Sequence, residues 1–225
     1  MNYTDINAKT VDSWVQNGWE WGRPISHETF EKAKKRRMGR LSHTDKNRAA
    51  RIGSAEMRGK KILGLASGGG QQIPVFTALG ADCTVLDYST EQLKREEEVG
   101  KREGYTPKCV RADMTKPLPF ADESFDLIFN PVSNCYIEEL EPVWRECARV
   151  LKPGGVLLVG FDNGINYLFD DDETKITNTL PYNPLKDEVL YKKSLELDYG
   201  VQFFAHTGRR NRWPAARGIY ADGYL

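Results

Sequence analysis

Four short stretches of the chain hold residue types that could do chemistry. The first is Ala66-Ser67-Gly68-Gly69-Gly70-Gln71-Gln72. Consecutive glycines let a backbone turn tightly and approach a ligand, and a helix that follows offers free N–H groups and the positive end of its dipole. A plain structural turn would use the same glycines. The second is Asp87, 19 residues after Gly68. In nucleotide-binding α/β folds an acid about 20 residues beyond such a loop accepts from ribose hydroxyls. Taken alone, it reads equally as a helix-capping acid. The third is Asp113-Met114, an acid able to accept from an adenine amino group beside a thioether able to pack on the ring. The fourth is Asn130-Pro131-Val132-Ser133-Asn134-Cys135-Tyr136, which offers donors and acceptors but no strong base.

These stretches need a frame that brings them together, and the hydrophobic pattern supplies one. Ile62–Ala66 is a short apolar run ending in the glycines, as a buried parallel strand would be. Strands are expected at 82–87, 107–112, 124–129 and 156–160. Helices are expected at 71–79, 89–103 and 138–151, with Ser89 and Gln92 spaced as a capping box. Each chemical stretch then falls at the C-terminal end of a strand, where ligands bind in open parallel sheets. Residues 1–59 read as a helical appendage holding Trp14, Trp19 and Trp21, residues 60–162 as the α/β core, and residues 163–225 as a lid or insertion with an atypical tail.

Composition narrows the possibilities. The 225 residues are 40% hydrophobic and 11% aromatic, enough to bury a core. Thirty-two Lys and Arg balance thirty-two Asp and Glu, which excludes a globally basic nucleic-acid coat. From Lys32 to Lys61, however, twelve basic residues face only Asp45 and Glu56, as a solvated helical face or as a patch for an anionic substrate or RNA. No apolar run reaches the roughly 18 residues of a membrane span, and Met1–Asp5 does not open a signal peptide. A cytoplasmic protein is expected. Cys83, Cys109, Cys135 and Cys147 form no Cys-x-x-Cys pair, and His27, His43 and His206 are the only histidines, so neither disulfides nor a metal site is expected.

With these motifs in order, Lys61–Phe161 resembles the class I S-adenosylmethionine-dependent methyltransferases, of the small-molecule type 11 kind. The glycine loop is similar to that family's first motif, Asp87 to its ribose acid and Asp113 to its adenine acid. Phe125-Asp126-Leu127-Ile128 and Ala148-Arg149-Val150-Leu151-Lys152-Pro153-Gly154-Gly155 are similar to its later motifs, the last being the most specific and one that nicotinamide enzymes lack. The resemblance implies a Rossmann-like, doubly wound, mostly parallel sheet with helices on both faces. It implies S-adenosyl-L-methionine as cofactor, with Ala66, Ser67, Gly68, Gly70, Gln72, Asp87, Tyr88, Asp113, Met114 and Asn130 as candidate binding residues. Methyl transfer requires mainly positioning. Asn130, Tyr136 and His43 are the candidates for catalysis, and none stands out as a base.

Three features depart from the family pattern. Gly64 stands where an acid usually helps hold the methionine part of the cofactor. Ala66 stands where glycine is usual, a mild change if its φ stays negative. The ending Arg209-Arg210-Asn211-Arg212-Trp213-Pro214 is poor material for the two further strands the family carries. Codons compatible with residues 212–222, read one base later, spell a family-like ending, so a frameshifted or truncated tail and an incomplete sheet edge are expected. The acceptor is expected to be a small molecule. An RNA methyltransferase, or a binding module that has lost turnover, are the alternatives; no membrane partner is expected.

Overall fold

The computed structural model describes residues 2–38, 57–161, 164–170 and 172–204. His43, the greater part of the basic stretch and the atypical tail lie outside the described residues.

Five parallel strands form the sheet: β1 (Lys61–Leu65), β2 (Asp82–Asp87), β3 (Lys108–Arg111), β4 (Phe125–Asn130) and β5 (Leu151–Val159). Their order is β3-β2-β1-β4-β5, so the chain reverses its direction of travel across the sheet after β3. That reversal opens a crevice beyond the C-terminal ends of β1 and β4, the usual ligand position in such sheets. β1 is central, pairing with β2 from Lys61↔Asp82 and with β4 from Ile62↔Leu127. Both its faces are covered, which is why Ile62, Leu63 and Leu65 form an unbroken apolar run with no exposure.

Among the described residues, the helices around the sheet are α1 (Tyr3–Gln16), α2 (His27–Met38), α3 (Gln72–Ala78), α4 (Thr90–Glu103), α5 (Leu140–Val150) and α6 (Glu188–Glu196). α5 places Leu140, Val143, Trp144, Cys147 and Val150 on one stripe, and that stripe packs on Leu63, Leu65, Ile128 and Leu157. α4 begins at Ser89, whose Oγ accepts from Gln92 N at 3.1 Å, and ends at Gly104 in the left-handed region. The Gln92 side chain does not complete the expected capping box; its Nε2 reaches Trp21 O at 3.5 Å.

The sequence expectation for β5 needs correction. The strand starts at Leu151, not at Val156, and carries Pro153-Gly154-Gly155 within it. Phe125 pairs with Leu151 and Leu127 with Val156, so the three residues are taken up as an irregularity in the ladder. Glycine at φ +77° for Gly154 permits that detour.

The N-terminal residues pack beside the sheet as expected. On α2, Lys32 pairs with Glu28 and Lys34 with Glu31, the pattern of a solvated helical face. Residues 164–170 and 172–204 run over the crevice with two short 3-10 turns, α6, and antiparallel bridges Phe169↔Ile176 and Tyr182↔Phe204. All four cysteines are free, and burial pushes the thiols of Cys83 and Cys109 up to about 12. Among the described residues no helix is long and apolar enough to cross a membrane, and no group of three or more potential metal ligands gathers.

Candidate active site

Asp87 ends β2 where two cavities meet. Its Oδ2 accepts from Gly68 N at 2.9 Å and its Oδ1 from Ser89 N at 2.9 Å. Burial pushes its carboxyl up to about 6, against the pull of those main-chain donors. The smaller cavity, about 90 Å³, is closed over by Thr4, Asn7, Ala8 and Val11 of α1, with Tyr88, Asp113 and Met114 on its other side. The larger cleft, about 620 Å³, is walled by Trp19 and Trp21, by Ser67, Gln71 and Gln72, by the loop after β4, and by residues from 166 to 202. Val11, Ala66, Asp87, Ser133 and Tyr136 line both.

The glycine loop sends its amides inward. Gly68 N donates to Asp87 Oδ2, Gly69 N to Gln92 O at 2.9 Å, and Gly70 N to Glu96 Oε1 at 2.7 Å. Amides paired in this way cannot cradle a phosphate. The glycines serve close packing on α4 instead: a Cβ at Gly68 would lie 2.7 Å from Gln92 Cβ, and one at Gly70 2.8 Å from Arg95 O. Gly70, expected among the binding residues, therefore lies away from both cavities, with its carbonyl accepting from Ile25 N.

The other expected residues divide. Tyr88 lines the smaller cavity, its hydroxyl donating to Asp5 Oδ1 at 2.7 Å and its ring lying 4.9 Å beneath the Arg111 guanidinium. Met114 lines the same cavity. So does Asp113, whose Oδ1 accepts from Thr115 N and Thr115 Oγ1. Gln72 faces the larger cleft. Asn130 is 1% exposed and lines neither cavity. Its Nδ2 donates to Leu65 O and to Ser133 Oγ, both at 2.7 Å, which uses both amide hydrogens to tie the loop after β4 to the end of β1. Asn130 thus supports the site from beneath. Tyr136 lies at the junction of the cavities, with the Trp14 ring 6.4 Å away and the Trp19 ring tilted against Trp14 at 5.1 Å.

Residues 63–159 match the family described as "Methyltransferase domain". Over 204 residues the chain is 37% identical to the "Uncharacterized methyltransferase YbaJ" of Bacillus subtilis (strain 168), covering 88% of this chain and 80% of that protein. The chain belongs to the methyltransferase family. It is also 36% identical over 101 residues to a demethylmenaquinone methyltransferase of Renibacterium salmoninarum, spanning 45% of this chain and 40% of that relative. Among solved structures it resembles a putative S-adenosyl-L-methionine-dependent methyltransferase of Methanococcus maripaludis, with 16% identity, a TM-score of 0.47, and coverage of 88% and 73% of the two chains.

Two of the departures, Gly64 and Ala66, are accommodated within this methyltransferase by local contacts. A Cβ at Gly64 would lie 2.6 Å from Ile73 Cδ1, so an apolar side chain of α3 fills the place of the usual acid. Ala66 has φ +47°, so the condition under which its replacement of glycine would be mild is not met; the loop holds a non-glycine residue in the left-handed region. Ala66 N donates to Leu86 O at 2.7 Å and helps keep it there.

Two parts of the site escaped motif reading. One is α1, whose Asn7 pairs with both main-chain groups of Val201, donating to its carbonyl at 2.9 Å and accepting its N–H at 2.6 Å. Asp12, on the same helix, accepts from Ser89 Oγ and Glu91 N. The seven-residue spacing of Asp5 and Asp12 was the available signal. The other is Glu96, unexposed beneath the glycine loop. Its signal was an acid at an inward position of α4, between Leu93 and Val99.

Proposed function

We propose that this methyltransferase takes its methyl group from S-adenosyl-L-methionine and delivers it to a small-molecule acceptor. One observation carries the cofactor reading. Asp87 presents a carboxylate at the junction of the two cavities, while the neighbouring glycine amides are paired within the protein. Such a site suits ribose hydroxyls on a cofactor without phosphates.

The residues fit at the nucleoside end. Asp87 would hold the ribose, and Tyr88, Asp113 and Met114 would flank the base in the smaller cavity. Ser67 and Gln72 are the groups available at the amino-acid end, since Gly64 and Ile73 offer none. When bound, the cofactor supplies a methyl group already activated on a sulfonium. The protein's own work is to orient the acceptor and exclude water. The loop 131–136, braced by Asn130, forms the floor for that task, and residues 164–204 form the cover. The cleft has the size of small-ligand sites, which run from roughly 300 to 1,000 Å³. The acceptor reading rests on that size and on the paired lysines of α2, which lie away from the cleft. Action in the cytoplasm belongs to the same reading.

Ile73 in the acid's place favours one second reading, a module that binds cofactor without turnover. Calorimetric titration with S-adenosylmethionine and S-adenosylhomocysteine, beside Asp87→Asn, tests the cofactor. Micromolar binding that is weakened in the variant is expected. Absence of binding to folded protein overturns the proposal, and binding without transfer to any acceptor in a screen selects the second reading.

A further inference from the structure

We propose that the methyl acceptor is an amine; the inference rests on the cofactor reading above and concerns the other side of the same cleft. The wall built by residues 164–204 brings the rings of Tyr167, Phe169, Tyr182 and Tyr199 to the cleft, together with the carboxylates of Asp170 and Glu173. Lys193 is the one cationic side chain among the described lining residues. Aromatic faces and carboxylates attract the same kind of ligand, a cation with an apolar body.

Asp170 is built to stay ionised. Its Oδ1 accepts from Thr174 N at 2.8 Å and Lys175 N at 3.1 Å, and its Oδ2 from Thr174 Oγ1 at 3.3 Å. Those donors hold its carboxyl below the usual carboxylate range. It is therefore a fixed negative charge and a poor proton acceptor. An alcohol or phenol would need a better base than this to become a nucleophile. A carboxylate acceptor would meet like charge. An amine drawn in as its ammonium form sheds one proton to water, far more readily than an alcohol would, and the neutral amine then carries its own lone pair. Its nitrogen forms the new bond to the methyl carbon as the carbon–sulfur bond breaks and its electron pair stays on sulfur. Positive charge thereby leaves sulfur and appears on nitrogen, and a proton is later lost to water.

The test uses the full chain saturated with S-adenosylhomocysteine, so that the cofactor's own ammonium group cannot be confused with an acceptor. Choline and its neutral carbon isostere 3,3-dimethylbutan-1-ol are titrated by calorimetry. Choline is expected to bind about tenfold more tightly, from the cation–π and charge contribution alone. Asp170→Asn and, separately, Tyr199→Leu are expected to reduce that preference while leaving S-adenosylhomocysteine affinity unchanged. Tyr199 is 46% exposed, so its replacement leaves the fold intact even if Asp170→Asn loosens its turn. A parallel transfer assay with labelled methyl donor is expected to label primary and secondary amines ahead of phenols and carboxylates. Equal binding of the two isosteres, no choline binding, or label entering only oxygen acceptors overturns the inference. Failure of S-adenosylhomocysteine to bind removes the cofactor reading and this inference with it, a result distinct from bound cofactor product without cation preference.

Discussion

The main-chain N–H of Gly70 donates to Oε1 of Glu96 at 2.7 Å, and the carboxyl that receives it has no exposure to solvent. Asp87, Cys83, Cys109 and Tyr105 surround that carboxyl, and Arg95 sends its guanidinium to Glu98 instead. None of them offers a cation, so burial pushes Glu96 up to about 8. Between its ordinary range near 4.5 and that value, the folded chain holds a proton that the unfolded chain has lost. Stability must therefore fall as pH rises through this window and level off above it. Thermal melts of the free protein from pH 5 to 9 are expected to show that fall. Glu96→Gln, which keeps the acceptor for Gly70, is expected to flatten the slope. Glu96→Ala strands the amide, opens a cavity and is expected to lower stability by about 2–4 kcal/mol.

Asp87 gives a second pH dependence, of opposite sign, in ligand binding. Its carboxyl titrates near 6 in the free protein, and hydroxyl donors favour the ionised form. Affinity for S-adenosylhomocysteine is expected to rise from pH 5 to 7 and then level off. Asp87→Asn is expected to weaken binding on the order of 10–100-fold at pH 7.5, the worth of hydrogen bonds to a charged acceptor. Calorimetry across that range checks both.

Restoring the family acid should harm this chain. Gly64→Asp would drive a side chain into Ile73, whose Cδ1 already lies 2.6 Å from the place of a Cβ. Overpacking at such a position lowers stability by about 1–3 kcal/mol, before the added burial of charge. Urea denaturation is expected to show that loss, partly relieved in Gly64→Asp/Ile73→Ala.

Asn7→Ala removes the amide that satisfies both main-chain groups of Val201, a residue without exposure. Two buried groups left unpaired imply about 1–3 kcal/mol each, partly recovered by water. Hydrogen exchange is expected to quicken at residues 199–203 with little change in β1 or β4. Uniform quickening across the sheet would show instead that α1 stabilises the whole fold.

The sequence by itself determined the sheet and the strand ends at which the candidate site residues gather. Alternating apolar runs and helical stripes fixed the five strands and the helices between them, because burial on both faces demands near-continuous hydrophobicity in β1 and a one-sided stripe in α5. Motif spacing put Asp87, Tyr88, Asp113 and Met114 at strand ends, and there they line one cavity. Only the tertiary structure decided which glycine-loop atoms remain for a ligand. Gly70 is consumed by Glu96 and Ile25, and the Asn130 amide by Leu65, through contacts between residues far apart in sequence. It also decided what closes the site. Asn7 meets Val201 across 194 positions, and no local pattern announces a polar pair whose members belong to opposite ends of the chain. Local propensity and periodicity act over a few residues, whereas the satisfaction of buried polar groups is settled by whichever segments the completed core brings side by side.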